Sequence, residues 1–184
     1  PHAVASSLVA AVEDLRPASL GWAEGNVDGV GAPRRAGTAR PPRAAALKVA
    51  DGAGLRGVVL VYPCHGSVMG PKNLAVSGDI VGSGVEALEL WTGATGRCAW
   101  AQGAAGDIST RATRRERTQD EADRLGSVVA RAAGALLDSA TPLAGDEGFS
   151  LARTTVRLPL KSADGLGVRE FSGPVARDDE DRSE

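Results

Sequence analysis

Two stretches of this sequence hold residue types that could do chemistry. The first runs Tyr62-Pro63-Cys64-His65-Gly66-Ser67-Val68-Met69-Gly70 and continues to Ser77-Gly78-Asp79. His65 stands just past an apolar run, and strand ends in α/β sheets open onto crevices. A neutral imidazole there could ligate a metal, or it could simply bond a nearby carbonyl. The second stretch runs Ala101-Gln102-Gly103-Ala104-Ala105-Gly106-Asp107-Ile108-Ser109-Thr110-Arg111. Small residues let the backbone bend sharply and let a ligand approach closely. Ser109 emerges just past that turn, whose amide N–H groups could hold an oxyanion. Equally, Ser109 or Thr110 could cap a helix. No G-x-S-x-G elbow surrounds Ser109, and a Ser-His-Asp triad would have to recruit His65 or His2.

Other charged and glycine-rich segments carry weaker signals. Arg34-Arg35 could bind an anion or form a solvated loop pair. Arg111, Arg114, Arg115 and Arg117 read as a solvated helix entrance, with a phosphate or acidic-lipid contact as the sharper alternative. Gly25-Asn26-Val27-Asp28-Gly29-Val30-Gly31 looks like a glycine loop, but no P-loop Lys-Ser/Thr follows it. Cys64 and Cys98 are the two cysteines and form no C-x-x-C, which excludes a disulfide framework and a zinc ribbon. They read as reduced, buried thiols.

The elements that must position these residues follow from periodicity. Val4, Leu8, Ala11, Val12 and Leu15 share one stripe of a helix over 2–15, which Pro17 ends. Ser19 to Ala23 reads as a short strand, and 25–43, rich in Gly, Pro and Arg, as a long loop. Strands over 45–50 and 57–64 flank the turn Asp51-Gly52-Ala53-Gly54 and predict a hairpin. Val58-Val59-Leu60-Val61-Tyr62 is continuously apolar, which predicts a strand covered on both faces. Val81, Val85, Leu88 and Trp91 predict a helix over 81–91, and 97–102 a further strand. The strongest helical period spans 116–140, through Ala122, Leu125, Val128 or Val129, Ala132, Leu136 and Leu137. Residues 149–160 alternate like a half-buried strand. The order α-β-β-β-α-β-α-β predicts an α/β domain, a mixed β-sheet flanked by helices.

Composition bounds the function classes. The chain has 184 residues, 42% of them hydrophobic and 24% charged, which fits one folded domain rather than wholesale disorder. A net charge of -2 gives no reason to expect nucleic acid as a partner. No apolar run approaches the ~18 residues of a membrane span, and no signal peptide opens the chain. The first residue is Pro1 rather than Met, so the expectation is a processed chain or a piece of a longer protein. Residues 161–184 read as an acidic, disordered tail after a folded part over 1–160.

Together the motifs resemble the neutral/alkaline ceramidase family, in particular its compact bacterial relatives. Leu15-Arg16-Pro17-Ala18 resembles the family's helix end, and Gly29-Val30-Gly31-Ala32-Pro33-Arg34-Arg35 its Asn-Arg loop. Cys64 to Gly70 with Ser77-Gly78-Asp79 resembles the H-P-T segment and the Ser-x-Asp after it. Gln102 to Ser109 resembles the A-Q-x-N-A-G-D-V-S segment. The resemblance, over roughly residues 10–160, implies a zinc-dependent amidase acting on ceramide-like N-acyl lipids. It implies His65 as a zinc ligand, Ser109 as the nucleophile, and Arg34, Gly106 and Asp107 at the substrate. Zinc there would polarise the amide carbonyl or lower the pKa of a bound water. The chain lacks the family's H-T-H segment and its downstream Glu and Tyr ligands, and Gly66 replaces the usual Pro. The resemblance therefore implies that 1–160 is a partial catalytic domain with an incomplete metal site, with a non-catalytic remnant or binding module as the alternative. A metal-free serine hydrolase is the third reading. Oligomeric state is left open.

Overall fold

The computed structural model describes residues 2–35, 42–143, 152–160 and 167–174. The chain divides into two units, Pro1–Gly145 and Asp146–Glu184. The first unit is built on a five-stranded mixed sheet in the order β5-β4-β3-β1-β7. Its strands are β1 (Ser19–Asn26), β3 (Arg43–Asp51), β4 (Gly54–Tyr62), β5 (Cys98–Gln102) and β7 (Thr141–Pro142). All pairings are antiparallel except β4 with β5. A two-residue pair, β2 (Ala32–Pro33) and β6 (Ile108–Ser109), stands apart from it. The helices are α1 (His2–Glu13), α2 (Asp79–Thr92) and α3 (Gln119–Asp138). This is the α/β architecture with flanking helices that the periodicity predicts. The added elements are β2, β6 and β7, two residues each and too short for periodicity to reveal.

The β3–β4 hairpin forms where expected, its turn held by an N–H bond from Ala53 to the Asp51 carboxylate (2.8 Å). The apolar run in β4 is not covered on both faces. Val58, Leu60 and Tyr62 are buried, while Val59 and Val61 are half-buried. A mostly antiparallel sheet can bury one face and leave the other partly open. α3 lies over β1 and β3, α2 over β5, and the two helices pack against each other. Ile80 and Leu88 of α2 meet Leu125, Val129 and Ala133 of α3 and the buried β4 side chains in one core.

The helix–helix contact departs from the apolar pattern. Trp91, expected on the core face, is exposed, whereas Ser83 and Gly84 are buried. Gly84 and Gly126 set the approach of the two helices. A Cβ on Gly126 would come within 2.6 Å of the Gly84 nitrogen and 2.8 Å of the Ser83 carbonyl carbon. α3 begins at Gln119 rather than 116 because the Thr118 hydroxyl caps it, accepting from the Glu121 N–H. α1 forms as predicted, but none of its residues is buried.

In the second unit, β8 (Arg153–Leu160) pairs antiparallel with β9 (Gly167–Pro174). The β8 residues Arg153, Thr154, Thr155 and Val156 are all exposed, where the alternation predicts one buried face. β9 falls inside the segment expected as a tail. Residues 161–166 and 175–184 of that segment, and 149–151 of the expected strand, lie outside the described residues.

Gly126→Ala should destabilise the first unit, because overpacking costs about 1–3 kcal/mol against a helix-propensity gain of ~1 kcal/mol. Urea unfolding should show a lower midpoint; an unchanged or higher one would mean the helices can separate freely.

Candidate functional site

The site grows out of the end of β4. Tyr62 is fully buried there, and its hydroxyl accepts the Gly31 N–H at 2.9 Å. A Cβ at Gly31 would lie within 2.9 Å of that hydroxyl, of Pro42 and of an Ile108 methyl, so only glycine fits. The bond brings the 27–34 loop, anchored by buried Val27 and Val30, onto the strand end. Ala32 and Pro33 then pair with Ser109 and Ile108, and the Arg34 N–H donates to the Asp107 carbonyl at 2.7 Å.

The chain past Tyr62 reaches the same place. The His65 N–H donates to the Ile108 carbonyl (3.3 Å), and His65 forms a parallel bridge with Ser109. Residues paired across neighbouring strands project to one side of the ladder. His65 and Ser109, 44 positions apart in sequence, thus become neighbours. The Gln102 amide donates to the Cys64 carbonyl at 3.1 Å and ties the second stretch to the first.

Asp79 holds the loop after His65. It is the non-glycine residue with a left-handed backbone among those described, at φ 51°. Its carboxylate accepts the N–H groups of Val68 (3.0 Å), Met69 (2.9 Å) and Ile80 (2.7 Å). Cys64 lies within the reach of that charge. Burial pushes its thiol up to about 11, the Asp79 charge adds to the rise and Arg34 opposes it. Cys64 and Cys98 are both free thiols, the first buried and the second half-buried.

Ser109 is 3% exposed. Its Oγ caps a 3-10 turn over Thr110–Ala112, accepting the Arg111 N–H at 3.4 Å. That capping role, one of the two readings of the sequence, is therefore present. Ser109 also lines a cleft of about 340 Å³ together with Arg34, Ser67, Gly70, Pro71, Arg111, Arg114 and Arg117. His65, Gly106 and Asp107 are not among the residues lining this cleft. Gly106 is exposed in the turn before β6, and Asp107 acts through its carbonyl.

Arg111, Arg114 and Arg117 are not simply a solvated helix entrance. The Arg114 Nη1 donates to the Ser67 carbonyl at 2.9 Å, and Arg117 packs on the Gly70 backbone where a side chain would collide with it. Their clustering with Arg115 is the signal in the sequence. Glu121 steadies the segment: it is buried, accepts the Arg115 N–H at 2.8 Å and forms a two-pronged bond to Arg124 at 2.7 Å. The Arg124 bond holds its carboxyl at about 2.

The zinc implied by the resemblance finds no complete ligand set among the described residues. Among the described residues, no three His, Cys, Asp or Glu side chains come together. Asp79 spends its oxygens on three amides.

No family model matches this chain, and no curated protein sequence matches it. Solved structures do. The neutral ceramidase from Pseudomonas aeruginosa aligns with a TM-score of 0.65 at 20% identity, over 90% of this chain and 30% of that one. The chain has a ceramidase-like fold. A ceramidase complexed with C2 gives a TM-score of 0.64 at 20% identity, over 87% of this chain and 29% of that one. The chain thus spans less than a third of the length of the ceramidases it resembles. No described helix is long and apolar enough to cross a membrane.

Asp79→Ala should destabilise the protein by about 2 kcal/mol in urea unfolding, since it leaves the Val68 and Met69 amides without their charged acceptor. An unchanged midpoint would show that the carboxylate does not hold the loop. Glu121 gives a pH dependence. Its folded value is lowered to about 2 from ~4.3 in an unfolded chain. Its stabilisation is complete above the unfolded value and is lost as pH falls from there through the folded value. Thermal unfolding from pH 6 to pH 2 (about 6 to 2, spanning both values) should show this loss in the parent and a smaller one in Glu121→Gln.

Proposed function

We propose that this chain carries the reactive part of a ceramidase-like hydrolase that cleaves the amide of an N-acyl, lipid-like substrate. The observation that supports this reading is the parallel bridge between His65 and Ser109, with Ser109 lining a cleft. Ser109 is the proposed nucleophile and Arg34 a proposed substrate contact, with Gly106 and Asp107 shaping the turn that presents Ser109. The Ser109 Oγ forms a bond to the carbonyl carbon and gives its proton to a base, a role proposed for His65 as its register partner across the bridge. The tetrahedral adduct then collapses, the C–N bond breaks and the amine leaves with that proton. Water repeats the sequence on the acyl-serine ester and releases the carboxylic acid.

Zinc dependence belongs to the resemblance rather than to the described donor set, and no step here runs through a metal. Ser109, 3% exposed and with its Oγ already capping the Thr110–Ala112 turn, supports a second reading, a binding module that keeps the scaffold without turnover.

The two readings separate in one assay. Hydrolysis of a short N-acyl amine by the full chain should fall by about a thousandfold or more in Ser109→Ala and a hundredfold in His65→Ala. Activity that survives Ser109→Ala would overturn the nucleophile assignment, and no turnover in the parent chain would favour the binding module. Zinc at one equivalent, lost in His65→Ala, would put that imidazole on a metal rather than on the Ser109 proton.

A further inference from the structure

The cleft beside Ser109 carries charge that amide hydrolysis does not require. Arg34, Arg111, Arg114 and Arg117 line it. An adjoining cavity of about 570 Å³ shares Pro71 and Arg117 with it and adds Lys72. These cations gather on a chain whose net charge is -2, so overall composition does not account for them. The described ion pairs engage Arg16, Arg43, Arg56 and Arg124 instead. Asp79 acts on Arg114 through its charge, and its oxygens already accept three amides.

The guanidinium groups are held in place. Arg114 is fixed by the Ser67 carbonyl at 2.9 Å. Arg117 lies on Gly70, whose φ of 75° and missing Cβ make the seat. Burial and the neighbouring charges of Arg117 and Arg111 lower the Arg114 pKa from its ordinary value. Like charges brought this close repel one another. An oxyanion with several acceptor oxygens relieves that repulsion, and guanidinium groups bind phosphate through paired, charge-assisted bonds.

We propose that this cleft is an oxyanion subsite that takes a phosphate monoester among Arg111, Arg114 and Arg117, beside the Ser109 hydroxyl. A dianion suits three converging guanidinium groups better than a single carboxylate does. The subsite itself is independent of the proposed hydrolysis. Its extension to substrate rests on that function: the preferred substrate is then an N-acyl amine whose amine half bears a phosphate.

The test is calorimetric titration of the full chain with inorganic phosphate at low salt. One site per chain is expected. Arg117→Gln and, separately, Arg111→Gln should weaken it about tenfold or more, the loss of one charge-assisted bond, with circular dichroism and Tm unchanged. Ser109→Ala should still bind phosphate, so binding and hydrolysis can fail separately. No phosphate binding, equal binding in both arginine variants, or binding of a DNA oligonucleotide alone overturns the subsite. A second arm compares hydrolysis of N-hexanoyl phosphoethanolamine with N-hexanoyl ethanolamine. A preference of about tenfold for the phosphorylated amide, lost in Arg117→Gln, supports the substrate class. Phosphate binding without that preference overturns it and leaves a site for free phosphate.

Discussion

The buried Tyr62 hydroxyl accepting the Gly31 N–H is the contact on which the site depends. Tyr62 ends the second strand of the hairpin, and Gly31 begins the approach to Arg34. Burial pushes the phenol's pKa up, so the hydroxyl stays neutral across the accessible pH range. Trp100 closes one side in an edge-to-face contact with ring centroids 5.7 Å apart. On the other side the Thr113 hydroxyl donates to the Val30 carbonyl, one residue before Arg114. A single buried bond thus indexes the Arg34 loop, the His65 strand end and the arginine segment against one another.

The sheet and the site divide the physical work. Large apolar side chains in β4, α2 and α3 form a core that leaves few polar groups to satisfy. The cleft, by contrast, is held by directional bonds from Asp79, Glu121, Ser67 and Gln102 to backbone and side-chain partners. Binding residues commonly sit on loops positioned by a rigid scaffold. Here the positioning is polar and charge-assisted, so the cleft should respond to pH and salt before the core does.

Much of the scaffold was legible because it obeys simple periods. α1, the β3–β4 hairpin, α2, β5 and α3 all follow from apolar spacing and turn residues. The expected face of α2 holds at Leu88 and Val81 and fails at Trp91, because small residues, Gly84 against Gly126, make the closest contact and a hydrophobicity pattern gives glycine no weight. His65 and Ser109 were legible as candidates, yet their pairing depends on β6, two residues long. The arginine segment was visible as a cluster. Its conversion into a cleft wall depends on Gly70 and the Ser67 carbonyl, backbone features that residue types do not advertise.

The bridge between His65 and Ser109 is one register pair. Side chains alternate along a strand, so a slip of one residue would turn Ser109 to the opposite face while leaving the core of the sheet untouched. The turn from Gly103 to Asp107 sets that register, helped by the Ile108 N–H bond to the Ala105 carbonyl at 3.0 Å. The length of that glycine-alanine turn is therefore as much a part of the site as the hydroxyl it delivers.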